Sequence, residues 1–429
     1  MNYSATKLLK KNKISQIIAI YLLSLQKERI LRMKIAILTS GILPVPAVQG
    51  GAVENLIDFY LEYNDIHQLH DITVYSRNHC DTRNHPAIKS KVNHYHYIDT
   101  TSIIAKIRKR LYLRRVGGRE FHHYSIEYFI EQVLHHLRKQ AYDMIIIENR
   151  PPFSLKVKKI SNAKIVYHIH NSKLSKESDY AEDLYNAADL IICVSDYITN
   201  CVKSINPKDK KCITVHNGID LCAFSHSNKS SICRKAINLS ENDFVLVFSG
   251  RITREKGISE LLDAILTIKD IQNIKLLVIG SSFYGDNNTE DVFIRSLKEK
   301  AKCISERILF TGFIPYNRMP DYLRISDVAV IPSIWDDPFP TTVLEAQAIG
   351  LPIITTRRGG IPEEVTEDNA ILLKTDEHFV NNLANAILDL YQHPQKRKQM
   401  STVSIQRSKM FDKETYARSF FNVIGRIDV

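Results

Sequence analysis

Short, nearly unbroken apolar runs recur along this chain between segments with helical spacing, and no other feature narrows the fold as much. "KIAILTS" from Lys34, "DITVYS" from Asp71, "MIIIEN" from Met144, "KIVYHIH" from Lys164 and "LIICVS" from Leu190 form a first series. A strand with one face in water alternates apolar and polar residues. Runs without that alternation predict strands covered on both faces, the condition of a parallel sheet between helices. After "ITVHNGID" (Ile213 to Asp220) and the polar stretch "SHSNKSSICRKAINLSEND", the pattern restarts with "FVLVFSG", "IKLLVIGS", "RILFTGF", "VAVIPS" and "PIITT". A chain of 429 residues exceeds what one core organises, so two α/β domains of roughly 200 residues each are expected. Both read as Rossmann-like.

The expected boundaries are a basic extension over 1–32, a first domain over 33–220, a linker over 221–243, a second domain over 244–408, and a helix over 409–429 that packs back on the first domain. Two such domains set the carboxyl ends of two sheets against one cleft. Ligands of open α/β sheets bind there, so function is sought in the loops after strands.

Two of those loops carry opposite charges. "GRITREKGISELLDAI" follows the strand at Phe244: Gly250 and Gly257 permit tight turns, Arg251 and Lys256 are cationic, and the amino end of the following helix favours an anion. "WDDPFPTTVLEAQAIGLPIITT" (Trp335 to Thr356) sets Asp337 and Glu345 eight residues apart around a proline-stiffened turn. Thr342 and Glu345 also have the spacing of a capping box, which would make Glu345 structural. Carboxylates repel a diphosphate but accept hydrogen bonds from hydroxyls. Cations for phosphates beside acids for hydroxyls describe a sugar nucleotide.

Here the chain resembles the retaining glycosyltransferases of family four, with the GT-B fold of two facing Rossmann-like domains. The resemblance rests on "GRITREKGI" with "DPFPTTVLEAQAIGLPIITTRRGGIPEEV", and on "VHNGID" and "LPVPAVQGGAVE". It implies that Arg251 and Lys256, beside Gly250, clamp a nucleotide diphosphate and that Glu345 takes the ribose hydroxyls. Asp337 stands where the family usually has glutamate, contacting the donor sugar with one methylene less of reach. His170 matches the family histidine near the transferred sugar, although strand alternation leaves His168 as the other candidate. Gly50 and Gly51 match the glycine loop that approaches donor phosphates or acceptor. The resemblance further implies transfer of a hexose-type sugar from a UDP- or GDP-linked donor to a lipid-linked saccharide in surface polysaccharide assembly. No cofactor is expected and, without a DxD motif, no metal.

The net charge of +11 is unevenly spread. Residues 1–220 hold 32 Lys and Arg against 21 Asp and Glu, and the second half is balanced. An acidic partner is therefore expected at the first domain. "TSIIAKIRKRLYLRR" (Thr101 to Arg115) places Ile103, Ile104, Ile107 and Leu111 on one helical face among six cations. It reads either as a helix for an anionic membrane surface or as a surface helix with a core-facing stripe. No motif or aromatic interleaving points to nucleic acid. In residues 1–32, "IIAIYLLSL" is too short to span a bilayer and no cleavage site follows, leaving a tail or an interfacial basic helix. Seven widely spaced cysteines without a CxxC pair suggest a reducing compartment. The expected location is cytoplasmic, peripheral on the inner face of the plasma membrane. Two rival readings share the fold: a sugar-nucleotide epimerase, and a non-catalytic binding relic weakened at Asp337.

Overall fold

The structure is a computed structural model and describes residues 32–116, 124–281 and 292–427. The basic extension, apart from Arg32, lies outside the described residues. The first sheet comprises β1 (Lys34–Leu38), β2 (Asp71–Arg77), β3 (Asn93–Ile98), β4 (Met144–Glu148), β5 (Lys164–Ile169), β6 (Leu190–Cys193) and β7 (Cys212–Thr214). The second comprises β8 (Phe244–Ser249), β9 (Ile274–Ile279), β10 (Ile308–Gly312), β11 (Val328–Ile331), β12 (Ile353–Thr356) and β13 (Ala370–Leu373). Their orders are β3-β2-β1-β4-β5-β6-β7 and β10-β9-β8-β11-β12-β13, with parallel pairing throughout. Both sheets reverse direction next to their first strand, β1 against β4 and β8 against β11, and at such a switch point the flanking loops part to leave a crevice.

Central strands are buried on both faces, as in β4, where all five residues of "MIIIE" are covered. The two strands that the apolar pattern did not reveal lie at sheet edges. β3 is "NHYHYI", a half-exposed run of polar and aromatic residues, and β13 has only four residues. "ITVHNGID" contributes a shorter strand than its length suggests, since β7 ends at Thr214 and the rest is irregular.

The helices that shape the cleft are α1 (Ala52–His67), α2 (Ile103–Val116), α3 (Tyr124–Leu137), α4 (Ile258–Thr267), α5 (Thr341–Ile349) and α6 (Lys413–Ile424). α6 returns from the second domain and packs on α1, with Phe420 stacked on Tyr60 at 4.4 Å between ring centroids. Lys413 at its start bridges Glu62 at 2.8 Å and Asp220 at 2.9 Å. The amides and carbonyls of Ile219, Phe411 and Lys413 pair where the two crossing segments meet.

α2 packs on α3 with Ala105 buried, and its apolar stripe faces solvent. Ile103 is 76% exposed and Ile104 62%, with Ile107 and Leu111 more than half exposed. The core-facing reading of that stripe is therefore corrected. An apolar stripe at helical phase does not by itself say whether it turns inward or toward solvent. Among the described residues, no helix is long and apolar enough to cross a membrane.

Candidate active site

Between the two sheets lies a cavity of about 560 Å³, and Gly50, Gly51, His170, Gly250, Arg251, Lys256, Asp337 and Glu345 all line it. The second-domain wall is built from two loops. After β8 the chain turns at Gly250 and passes Arg251, and a single 3-10 turn, Arg254–Lys256, leads into Gly257 and α4. Gly257 has φ +72°, and a Cβ there would stand 1.9 Å from the Pro332 carbonyl, so only glycine lets this loop lie against the end of β11. Lys256 is thereby carried to the cleft beside the start of α4, where unpaired amides offer partial positive charge.

The acidic loop is held from behind. Asn217 donates to the Phe339 carbonyl at 2.9 Å, His216 stacks on the Phe339 ring at 4.9 Å, and the Gly360 amide donates to the Asp337 carbonyl at 2.8 Å. A Cβ on Gly360 would meet the Pro338 carbonyl at 1.9 Å. Thus "HN" of the junction and "GG" after β12 serve as a mould for the loop, a role their sequence positions did not disclose.

In this mould Asp337 pairs directly with Lys256 and also accepts the Ser333 hydroxyl at 3.2 Å. The two side chains that the resemblance assigns to diphosphate and sugar therefore neutralise each other.

Glu345 is 5% exposed and sits in the second turn of α5. The capping-box reading is corrected: α5 begins at Thr341, Pro340 occupies the cap, and no side chain caps it. The helix starts two residues earlier than the Thr-x-x-Glu spacing needs, with Pro340 where Thr342 would have to be. Burial pushes the Glu345 carboxyl up to about 8, partly offset by the Thr341 hydroxyl bonded to it. Burial thus favours its protonated form.

On the first-domain wall the expected His170 stands one residue past β5 and lines the cavity, whereas His168, within the strand, is fully buried; the wall also carries groups that sequence reasoning missed. Glu54, in the first turn of α1, also lines the cavity, and burial lifts its carboxyl to about 7. Its carboxylate folds over Gly51, where a Cβ would meet Glu54 Oε2 at 2.3 Å. Asn149 and Arg150 follow β4 into the same wall. Among the described residues two clusters have ligand-type atoms close enough to share a metal ion: the exposed His79, Cys80 and Asp81, and the inward Glu148, His168 and His170. Glu148 stands within hydrogen-bond distance of both imidazoles, and Nε2 of His168 is buried without a partner.

The chain matches the family described as glycosyl transferases group 1 over residues 230–407, and the family described as glycosyltransferase family 4 over residues 66–222. The matches lie end to end, one on each domain. This chain is a GT-B glycosyltransferase of the family-four type. It is 27% identical to spore coat protein SA of Bacillus subtilis over 87% of this chain and 93% of that one. Identity to the lipopolysaccharide 1,2-N-acetylglucosaminetransferase of Salmonella typhimurium is 26%, over 62% and 68% of the two chains. Among solved structures, Anabaena Alr3699/HepE in complex with UDP-glucose superposes with a TM-score of 0.70 at 19% identity, covering 92% of this glycosyltransferase and all of that chain. At that identity the likeness speaks for the fold alone.

Proposed function

We propose that this glycosyltransferase moves a hexose-type sugar, with retention, from a UDP- or GDP-linked donor to a lipid-linked saccharide at an anionic membrane surface, in surface polysaccharide assembly. One observation carries the donor half of the reading: Lys256 and Arg251, beside the amino end of α4, line one cavity together with His170, Asp337 and Glu345. A nucleoside diphosphate sugar offers phosphate charge to the two cations and hydroxyls to the other three. The polysaccharide setting takes support from the Salmonella relative, a lipopolysaccharide N-acetylglucosaminetransferase.

In this reading the acceptor hydroxyl attacks on the face that the nucleotide leaves. The departing diphosphate takes the proton, while Arg251, Lys256 and the α4 amides stabilise its growing charge. Glu345 accepts the ribose hydroxyls. These groups supply the leaving-group stabilisation themselves, so transfer is expected to survive chelation by EDTA. The acceptor half rests on α2, whose exposed isoleucines stand among Lys106, Arg108 and Arg110, the composition that suits an anionic lipid surface.

The test is release of nucleoside diphosphate from a panel of sugar nucleotides, with and without lipid-linked saccharide, and the anomeric configuration of the product by NMR. Retained configuration and acceptor-dependent release are expected. Conversion of donor without acceptor would favour an epimerase, and binding without release a relic.

A further inference from the structure

Behind His170 lies a polar cluster that none of the sugar-nucleotide contacts accounts for. Glu148 ends β4, is fully buried, and stands opposite His168 in the parallel register of β4 and β5. Its Oε1 accepts the Tyr60 hydroxyl at 2.9 Å. Nδ1 of His168 reaches Oε1 at 3.2 Å and Oε2 at 3.0 Å, and Nε2 of His170 reaches Oε2 at 3.1 Å. Burial alone would raise the Glu148 carboxyl, but the electrostatic pull and hydrogen bond of His168, with the hydrogen bond of His170, hold it down at about 2. It is an acceptor only, so each ring nitrogen turned toward it must carry a hydrogen.

For His170 that nitrogen is Nε2. Burial and the neighbouring His168 keep His170 neutral, at about 4, against the pull of Glu148. A neutral imidazole has one N–H, so the lone pair belongs to Nδ1, on the edge of the ring away from Glu148. The cluster is braced from outside the first domain as well. Tyr60 is stacked on Phe420 of α6, and the same Phe420 lies 5.3 Å from the His168 ring.

We propose that Glu148 is a positioning residue for the transfer reaction: it holds His170 in the Nε2–H tautomer, so that Nδ1 accepts a hydrogen bond from a hydroxyl of the bound donor sugar. Carboxylate behind imidazole fixes tautomer and ring orientation in the same way when the imidazole serves a metal or a nucleophile. α6, which crosses back from the second domain, thereby supports the reacting end of the cleft through Tyr60. The proposal rests on the transferase reading above.

The experiment reads the tautomer directly, by long-range proton–nitrogen correlation of the imidazoles in 15N-histidine-labelled protein without substrate. His170→Asn assigns the signal. In the unaltered protein His170 should be protonated on Nε2 only. Glu148→Gln, which preserves shape, should convert it to the other tautomer or a mixture and lower kcat about tenfold to a hundredfold. Donor KM and nucleoside diphosphate affinity should change less than about twofold. A His170 protonated on Nδ1 in the unaltered protein overturns the proposal even if the variant does not fold. An unchanged tautomer in Glu148→Gln, or affinity falling in step with kcat, overturns it too, as would stoichiometric zinc lost on the same substitution. Failure of the unaltered protein to turn over any sugar nucleotide would instead count against the transferase reading, since the spectrum needs no substrate.

Discussion

Two buried glutamates on opposite walls of the cleft have little contact with water, yet they stand at opposite ends of the carboxyl range. Glu148, on the first-domain side, is held at about 2 by two imidazoles and a hydrogen-bond network. Glu345, on the second-domain side, is pushed to about 8 with one hydroxyl to offset burial. Burial sets only the penalty, and the donors aimed at the carboxylate decide whether charge survives. The first domain therefore keeps a fixed negative charge behind its histidine. The second keeps an acid that becomes a strong acceptor when a ligand or rising pH removes its proton.

The largest effect that can break this contrast is expected at Lys256. Lys256→Ala should reduce transfer by about 10² to 10³, the cost of losing one preorganised group at a developing charge, with affinity for the nucleoside without phosphates nearly unchanged. Equal loss for nucleoside and nucleoside diphosphate would move the phosphate site elsewhere. The contrast in surface charge comes next. Replacing Lys106, Arg108 and Arg110 with serine removes three cations worth about 1 kcal/mol each near an anionic bilayer. Binding to anionic liposomes should then fall by about a hundredfold, and donor hydrolysis should stay intact. Retained binding would shift the contact from α2 to another part of the chain.

A smaller and sharper test compares the two glutamates directly. Glu345, raised from an ordinary 4.5 to about 8, costs the folded state stability progressively as pH rises from about 4.5 to about 8, because the unfolded chain ionises first. Glu148, lowered to about 2, adds stability that is present above about 4.5 and is lost as pH falls toward 2. Relative to the unaltered protein, Glu345→Gln should therefore gain in melting temperature between pH 5 and pH 9. Glu148→Gln should lose more above pH 4.5 than at pH 3. Parallel slopes in thermal melts would remove the contrast. The least effect is expected at Thr342→Ala, within about 0.5 kcal/mol, because α5 is not capped by that hydroxyl.

The second-domain wall was the more legible one. Its cations and acids lie in two continuous stretches, where glycine, proline and charge at fixed spacing announce a loop between a buried strand and a helix. The central strands were legible for the same reason that they are central: covered on both faces, they are mostly apolar. What escaped notice depends on contacts between distant segments. Glu148 reads as the last residue of an apolar run, and nothing local shows that β5 brings His168 and His170 to it or that Tyr60 closes over it. Thr342 and Glu345 misled in the opposite direction, since a local pattern matched a cap whose place Pro340 takes. The exposed stripe of α2 was visible as a stripe, but its direction is a tertiary fact.

The division of labour between the two walls is tested most directly by titrating nucleoside diphosphate calorimetrically into the unaltered protein, His170→Ala and Lys256→Ala, with transfer rates measured on the same preparations. The account predicts that His170→Ala binds nucleoside diphosphate within about twofold of the unaltered protein while transfer collapses, and that Lys256→Ala loses both. Equal loss of nucleoside diphosphate affinity in the two variants would contradict it, because His170 would then be holding the nucleotide and not the sugar.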